Sequence, residues 1–208
     1  MNVTTMNALS RYFETLYILN QRLLTLCGTN SYDHMNVQGQ YIDEVIMTLP
    51  RLIPYKFKKN SDEIRLVYED GLLRFSDDIP FLRSGYEDVF QNHNDLLVDV
   101  KKARNKLEHE MDNVRLVSSG SGPSATFSVI YNVDGIDINL CSNMLIALVK
   151  DLNILFSKIQ ELVQQTVFLT EFEVHPYYRH LTRYNFADFN KIYESDLLYI
   201  FGKAMLPF

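Results

Sequence analysis

Three long stretches of the sequence repeat apolar residues at intervals of three and four. They run over residues 5–27, from 85 to about 114, and from 142 to about 172. An α-helix brings positions three and four apart onto one face, so each stretch predicts a long helix with one buried side. The sequence therefore predicts an all-α helical bundle, formed as a single domain over residues 1–208.

Two segments break this pattern with the signature of β-hairpins. Residues 125–140 alternate β-forming side chains around Asp134-Gly135, a pair that tolerates the positive φ of a tight turn. A shorter segment, 64–75, has an Asp-Gly pair at Gly71 between two apolar runs and predicts a second hairpin. We expect the hairpin at 125–140 to be inserted between the second and third long helices of the bundle.

The remaining segments are assigned from their polar, proline and aromatic residues. We expect a polar loop over 29–38, a helix over 41–49 that is disturbed at Pro50, a flexible connector over 118–123, and two short helices in the aromatic tail 175–208, the second capped by Ser195. The connector lacks the Lys-Ser/Thr ending of a phosphate-binding loop, so it carries no nucleotide-binding signal.

Composition and charge favour a cytoplasmic protein. The 26 acidic residues exceed the 20 basic ones, which does not indicate a nucleic-acid-binding surface over the whole molecule. Cys27 and Cys141 have neither disulfide-framework nor metal-ligand spacing. The N-terminus has no signal-peptide core, and no apolar stretch approaches the ~20 residues of a membrane span. We therefore expect no membrane partner, no metal and no cofactor.

The segment 104–109, Arg-Asn-Lys-Leu-Glu-His, carries the strongest chemical signal in the chain. At about 100° per residue, Asn105 and His109 share one helix face, and Arg104 flanks them beside the apolar stripe. A guanidinium beside apolar residues needs a partner that offsets its desolvation. That partner is Glu108 or another carboxylate, a second subunit, or a phosphate.

These residue types are the ones that metal-independent RNA cleavage uses. A neutral imidazole, here His109, can accept the proton of a ribose 2′-hydroxyl, and a guanidinium, here Arg104, can stabilise the charge on the phosphorane. Asn105 can orient the imidazole or donate to a phosphate oxygen. Neighbouring lysines would attract the substrate backbone, namely Lys101, Lys102 and Lys106.

The spacing of Arg104, Asn105 and His109 resembles the signature of the HEPN superfamily. That motif is an arginine, commonly followed by a polar residue, then a histidine after four to six residues on a helix. The segments 74–82 and 150–153 add to the similarity, which covers about residues 40–170. The first helix and the aromatic tail lie outside it.

The resemblance implies a homodimer in which the Arg and His helices face each other across a two-fold axis. It also implies a metal-independent endoribonuclease of a bacterial toxin–antitoxin or anti-phage defence system, which leaves a 2′,3′-cyclic phosphate. His109 would then be the base, Arg104 the transition-state stabiliser and Asn105 the orienting residue. The expected partners are RNA and a nucleotidyltransferase-type antitoxin or another defence protein.

Two other interpretations stay open. Some HEPN proteins are non-catalytic, so the chain can instead be a binding or dimerisation module for a partner protein. The third interpretation is a generic helical scaffold, in which 104–109 is a solvated helix surface with ordinary Lys–Glu pairs. RNA cleavage that depends on His109 distinguishes the first interpretation from the other two.

Overall fold

The computed structural model describes residues 1, 3–28, 35–58, 63–67, 70–109, 114–119, 126–169 and 184–195, and within these ranges the chain is mostly helical. The helices are α1 (Val3–Gly28), α2 (Met35–Leu52), a 3-10 helix (Gly71–Phe75), α3 (Leu82–His109), α4 (Ser142–Leu169) and α5 (Phe186–Tyr193). The strands are β1 (Tyr55–Phe57), β2 (Ile64–Leu66), β3 (Val114–Ser119), β4 (Thr126–Val133) and β5 (Ile136–Cys141). The predicted all-α class with an inserted hairpin is confirmed.

The helices pack around one continuous apolar core. Helix α1 contacts α2 and α4, and α4 also contacts α3 and α5. The rings of Phe13, Phe156 and Phe186 meet at the centre, with centroids 5.3 to 6.0 Å apart, and all three side chains are fully buried. Tilted and edge-on contacts of this kind add to the hydrophobic stabilisation of the core.

A buried amide network attaches α5 to the bundle. The Asn153 side chain of α4 donates to Asn20 of α1 at 2.8 Å and to Asn190 of α5 at 2.9 Å. Asn20 donates in return to Asn153 at 2.8 Å. Because each amide is satisfied by another, the network is compatible with burial. It fixes the short helix α5, one of the two helices predicted for the tail.

The sequence predicted α1 and α4 well but placed the ends of α2 and α3 wrongly. Helix α2 begins at Met35, inside the predicted loop, and continues through Pro50 to Leu52. A proline this close to the end removes one hydrogen bond and leaves few residues beyond the kink, so the helix tolerates it. Helix α3 ends at His109 instead of near residue 114.

Residues 114–119 form a strand that was not predicted. Strand β3 pairs antiparallel with β4, which pairs with β5 through the turn at Asp134 and Gly135. Both turn residues have positive φ, 52° and 82°. The hairpin at 125–140 is therefore confirmed, and it is part of a three-stranded sheet. Ser118 and Ser119, predicted as connector, end β3.

The hairpin predicted over 64–75 is wrong. Strand β2 pairs instead with β1, which precedes it in the chain. Residues 71–75 form the 3-10 helix, in which Leu72, Leu73 and Phe75 are all buried. A strand would have placed adjacent leucines on opposite faces, whereas the helical turn buries both.

Several predicted features lie outside the described residues. They are the loop at 29–34, residues 120–123 of the connector, the end of the α4 stretch at 170–172, and the tail helix predicted after Ser195. Ser195 itself is described, and its hydroxyl donates to the Ile192 carbonyl just after α5. None of the described helices combines the length and apolar composition that crossing a lipid bilayer requires.

Candidate functional site

Arg104, Asn105 and His109 lie in the last two turns of α3, and His109 is its final residue. The helix is held there by its apolar face, because Val100 and Ala103 are buried and Leu107 packs partly against the core. This packing leaves Asn105 and His109 exposed and Arg104 half-buried. The structure therefore places the three side chains relative to solvent as the helical spacing predicts.

Arg104 pairs with Glu108, which is one of the partners expected for it. Its Nη2 donates to Glu108 Oε1 at 2.7 Å, one turn further along α3. Its Nε is buried and has no hydrogen-bond partner among the described residues. A buried donor without an acceptor is costly, so such a group calls for an explanation.

Tyr55 of β1 lies within electrostatic reach of Arg104. Burial raises the pKa of Tyr55 to about 12, and the positive charge of Arg104 opposes that rise. The Tyr55 hydroxyl is also buried without a hydrogen-bond partner in the described ranges. Its ring packs edge-on against Phe90 of α3, with centroids 5.9 Å apart.

Two buried donors without an acceptor among the described residues, Tyr55 Oη and Arg104 Nε, therefore lie in one neighbourhood, and both atoms are closed to solvent. Tyr55 was not predicted as a site residue, because it lies in an element about 50 residues away in the chain. A tyrosine in a basic stretch was its only signal.

The three lysines predicted to attract RNA have different surroundings. Partial burial lowers the pKa of Lys101, the charge of Arg104 lowers it further, and Glu108 opposes both. Lys102 and Lys106 are half-buried, and neither is without an interaction partner. Their role in substrate binding stays a prediction.

One chain does not present Arg104 and His109 to the same point. Five positions along an α-helix correspond to about 140° around its axis. Asn105 and His109 share a face, one turn apart, while Arg104 points towards Tyr55 and the core side. Any site that uses both the guanidinium and the imidazole on one phosphate therefore favours two copies of this helix end.

A second polar cluster links α3 to α4. His93 Nε2 lies 2.9 Å from Asp151 Oδ2, and Asn92 donates to the same oxygen at 3.1 Å. His93 sits at a kink in α3, with φ −131° and ψ 22°. The cluster is satisfied within the fold and acts as a link between the two helices. Across the described ranges, no group of three or more His, Cys, Asp or Glu residues could hold a metal ion.

No family model, curated protein or solved structure matches this chain.

Proposed function

We propose that the protein is a metal-independent endoribonuclease of the HEPN type, which acts as a homodimer in a bacterial toxin–antitoxin or anti-phage defence system. The observation that carries the proposal is the Arg104 side chain at the end of α3. It is half-buried, and it lies on the same helix as an exposed imidazole, His109, five residues further along. In a dimer with two-fold symmetry, Arg104 of one chain and His109 of the other would supply a phosphate with a charge-assisted donor and a general base.

The chemistry needs three events at one phosphodiester. His109 accepts the proton of the ribose 2′-hydroxyl, whose oxygen then bonds to phosphorus. Arg104 stabilises the added negative charge on the phosphorane. The bond to the 5′-oxygen breaks and that oxygen takes a proton from solvent, which leaves a 2′,3′-cyclic phosphate and a 5′-hydroxyl. Asn105, on the face of His109, orients the imidazole or donates to a phosphate oxygen.

The homodimer is part of the proposal because of the angle between the two side chains. An isologous interface brings the same patch of both chains together across a two-fold axis. Arg104 of one chain can then lie opposite His109 of the second chain. Light scattering at tens of micromolar should report a dimer, and a strictly monomeric protein would contradict this arrangement.

The ion pair between Arg104 and Glu108 favours a second candidate function. A carboxylate at 2.7 Å already neutralises part of the guanidinium charge, which weakens its pull on phosphate. A non-catalytic module would use the same helix end to dimerise or to bind a partner protein, for example a nucleotidyltransferase-type antitoxin. This candidate predicts a dimer or a complex without RNA cleavage.

Cleavage of labelled single-stranded RNA in the presence of EDTA tests the proposal. His109→Ala should reduce the rate by ~100- to 10,000-fold, since that is the usual contribution of a general base. Asn94→Ala is the matched control, because Asn94 is exposed on the same helix well before its last turns. Equal cleavage by wild type and His109→Ala would contradict the proposal. No cleavage by a folded wild-type dimer would favour the binding module.

A further inference from the structure

A cavity of about 400 Å³ lies between α1, the end of α2 and the 3-10 helix. Three arginines line it, one from each element: Arg11, Arg51 and Arg74. None of them belongs to the helix end at 104–109. The cavity therefore lies outside the helix end at 104–109, and a ligand bound in it would not depend on the proposed ribonuclease activity.

The described residues of the cavity concentrate positive charge. Among those that line it none is acidic, although acidic residues outnumber basic ones in the chain. Elsewhere Arg22 pairs with Glu44, and Arg83 pairs with Glu87. Within the described part of the chain, the three cavity arginines make no such pair. Like charges around one space repel each other, and a bound anion would turn that repulsion into attraction.

The Arg74 side chain packs against an aromatic ring beside the cavity. The Arg74 guanidinium carbon lies 4.6 Å from the ring centroid of Phe75, which is buried. Tyr12 lies beside it: burial raises the pKa of the Tyr12 hydroxyl, and the charge of Arg74 opposes the rise. On α1, the Thr15 hydroxyl donates to the Arg11 carbonyl at 2.8 Å, so both residues line the cavity from one helix face.

Gly71 permits the close approach of the 3-10 helix to α1. Its φ is +58°, and a Cβ there would lie 3.4 Å from Tyr12 Oη and 3.5 Å from Pro54 Cβ. A residue with a side chain would be strained at this φ and would contact Tyr12. This backbone conformation begins the 3-10 helix that carries Arg74 to the cavity.

We propose that this cavity binds a small molecule with two or three linked phosphates, of the nucleoside di- or triphosphate class. Each guanidinium can donate two parallel hydrogen bonds to phosphate oxygens, and three of them match a polyphosphate charge. Asn7 and Thr4 add polar groups to the lining, and the Tyr12 ring offers a surface for a base. The volume lies within the range of small-molecule sites. Arginines that converge on one cavity favour a compact polyanion over an extended RNA backbone.

Isothermal titration calorimetry with inorganic pyrophosphate, ADP and orthophosphate tests this inference. Pyrophosphate and ADP should bind at least ~10-fold more tightly than orthophosphate. Each of Arg11→Gln, Arg51→Gln and Arg74→Gln should weaken that binding at least ~10-fold, since each removes a charged hydrogen-bond donor. Arg65→Gln is the matched control, because Arg65 is exposed on β2 and does not line the cavity; its affinity should stay within about twofold of wild type.

The three glutamine variants should keep the fold, because the three arginines are exposed and make no ion pair in the described ranges. Unchanged melting curves without ligand verify this. Orthophosphate that binds as tightly as pyrophosphate, or an equal effect of Arg65→Gln, would overturn the inference. So would the absence of binding to folded wild type. Tighter binding of a short RNA without terminal phosphates, lost in the same three variants, would assign the cavity to RNA instead.

Discussion

The end of α3 and the arginine cavity differ in whether a carboxylate lies beside their positive charge. At the end of α3, Arg104 is half-buried and pairs with Glu108 of the same helix. In the cavity, three exposed arginines from three elements converge without a carboxylate among the lining residues. The difference indicates that the first region uses one positioned guanidinium, whereas the second uses summed charge. We therefore expect reaction chemistry at α3 and ligand affinity at the cavity.

The largest expected effect separates the two regions by activity. Arg104→Ala should reduce RNA cleavage by ~100- to 1,000-fold, the usual cost of removing a preorganised donor to the transition state. Arg104→Lys should restore little, because an ammonium does not reproduce the planar two-donor contact. Arg11→Ala should leave the cleavage rate within about twofold of wild type. Equal losses in Arg104→Ala and Arg11→Ala would place both regions in one RNA site and remove the contrast.

The next effect concerns Tyr55, which the fold brings to Arg104. Its pKa is raised from 10.0 to about 12 by burial, so the folded protein keeps the phenolic proton that the unfolded chain releases. The resulting stability is fully present below pH 10 and is lost between pH 10 and 12, at about 1.4 kcal/mol per pH unit. Tyr55→Phe should remove this part of the alkaline loss, as measured by urea unfolding from pH 7 to 11.5.

At pH 7 the same variant should be as stable as wild type or slightly more stable. The Tyr55 hydroxyl is buried without a hydrogen-bond partner in the described structure, so its removal forfeits no bond. If Tyr55→Phe instead destabilises the protein by more than ~1 kcal/mol at pH 7, the hydroxyl has an acceptor in solution. A second chain of the proposed homodimer would be the first place to look for that acceptor.

A smaller effect compares two glycines with positive φ. Gly71 begins the 3-10 helix that carries Arg74 and lies close to Tyr12, whereas Gly135 has open space around it. Gly71→Ala should lower the free energy of unfolding by about 1–2 kcal/mol, and Gly135→Ala by about 1 kcal/mol, since both strain the backbone. Only Gly71→Ala should also weaken pyrophosphate binding. Equal binding by both variants would show that the close approach at Gly71 does not shape the cavity.

The smallest effect tests the ion pair itself. Glu108→Gln should lower the free energy of unfolding by only about 0.3–0.5 kcal/mol, because the pair is partly exposed and four residues apart on one helix. RNA cleavage should be retained or rise, since the guanidinium loses its competing carboxylate. A tenfold fall in cleavage would show that Glu108 positions Arg104 for the reaction.

The sequence predicted the long helices because their apolar spacing repeats over many residues, which outweighs any single exception. It failed where segments are short. Residues 71–75 became a 3-10 helix and 114–119 became a strand, since a few apolar residues fit either structure until the core or a neighbouring strand selects one. Pro50 predicted a disturbance of the helix over 41–49, but α2 extends through the proline to Leu52.

The same distinction between local and long-range contacts holds for the candidate site and the cavity. The helical spacing was enough to predict that His109 is exposed and that Glu108, one turn from Arg104, is one of its possible partners. The packing of the helices and strands then selected Glu108, brought Tyr55 near Arg104 and placed Arg11, Arg51 and Arg74 around one cavity. Residues far apart in the chain are brought together by the packing of the helices, and the local spacing of residues does not predict that packing.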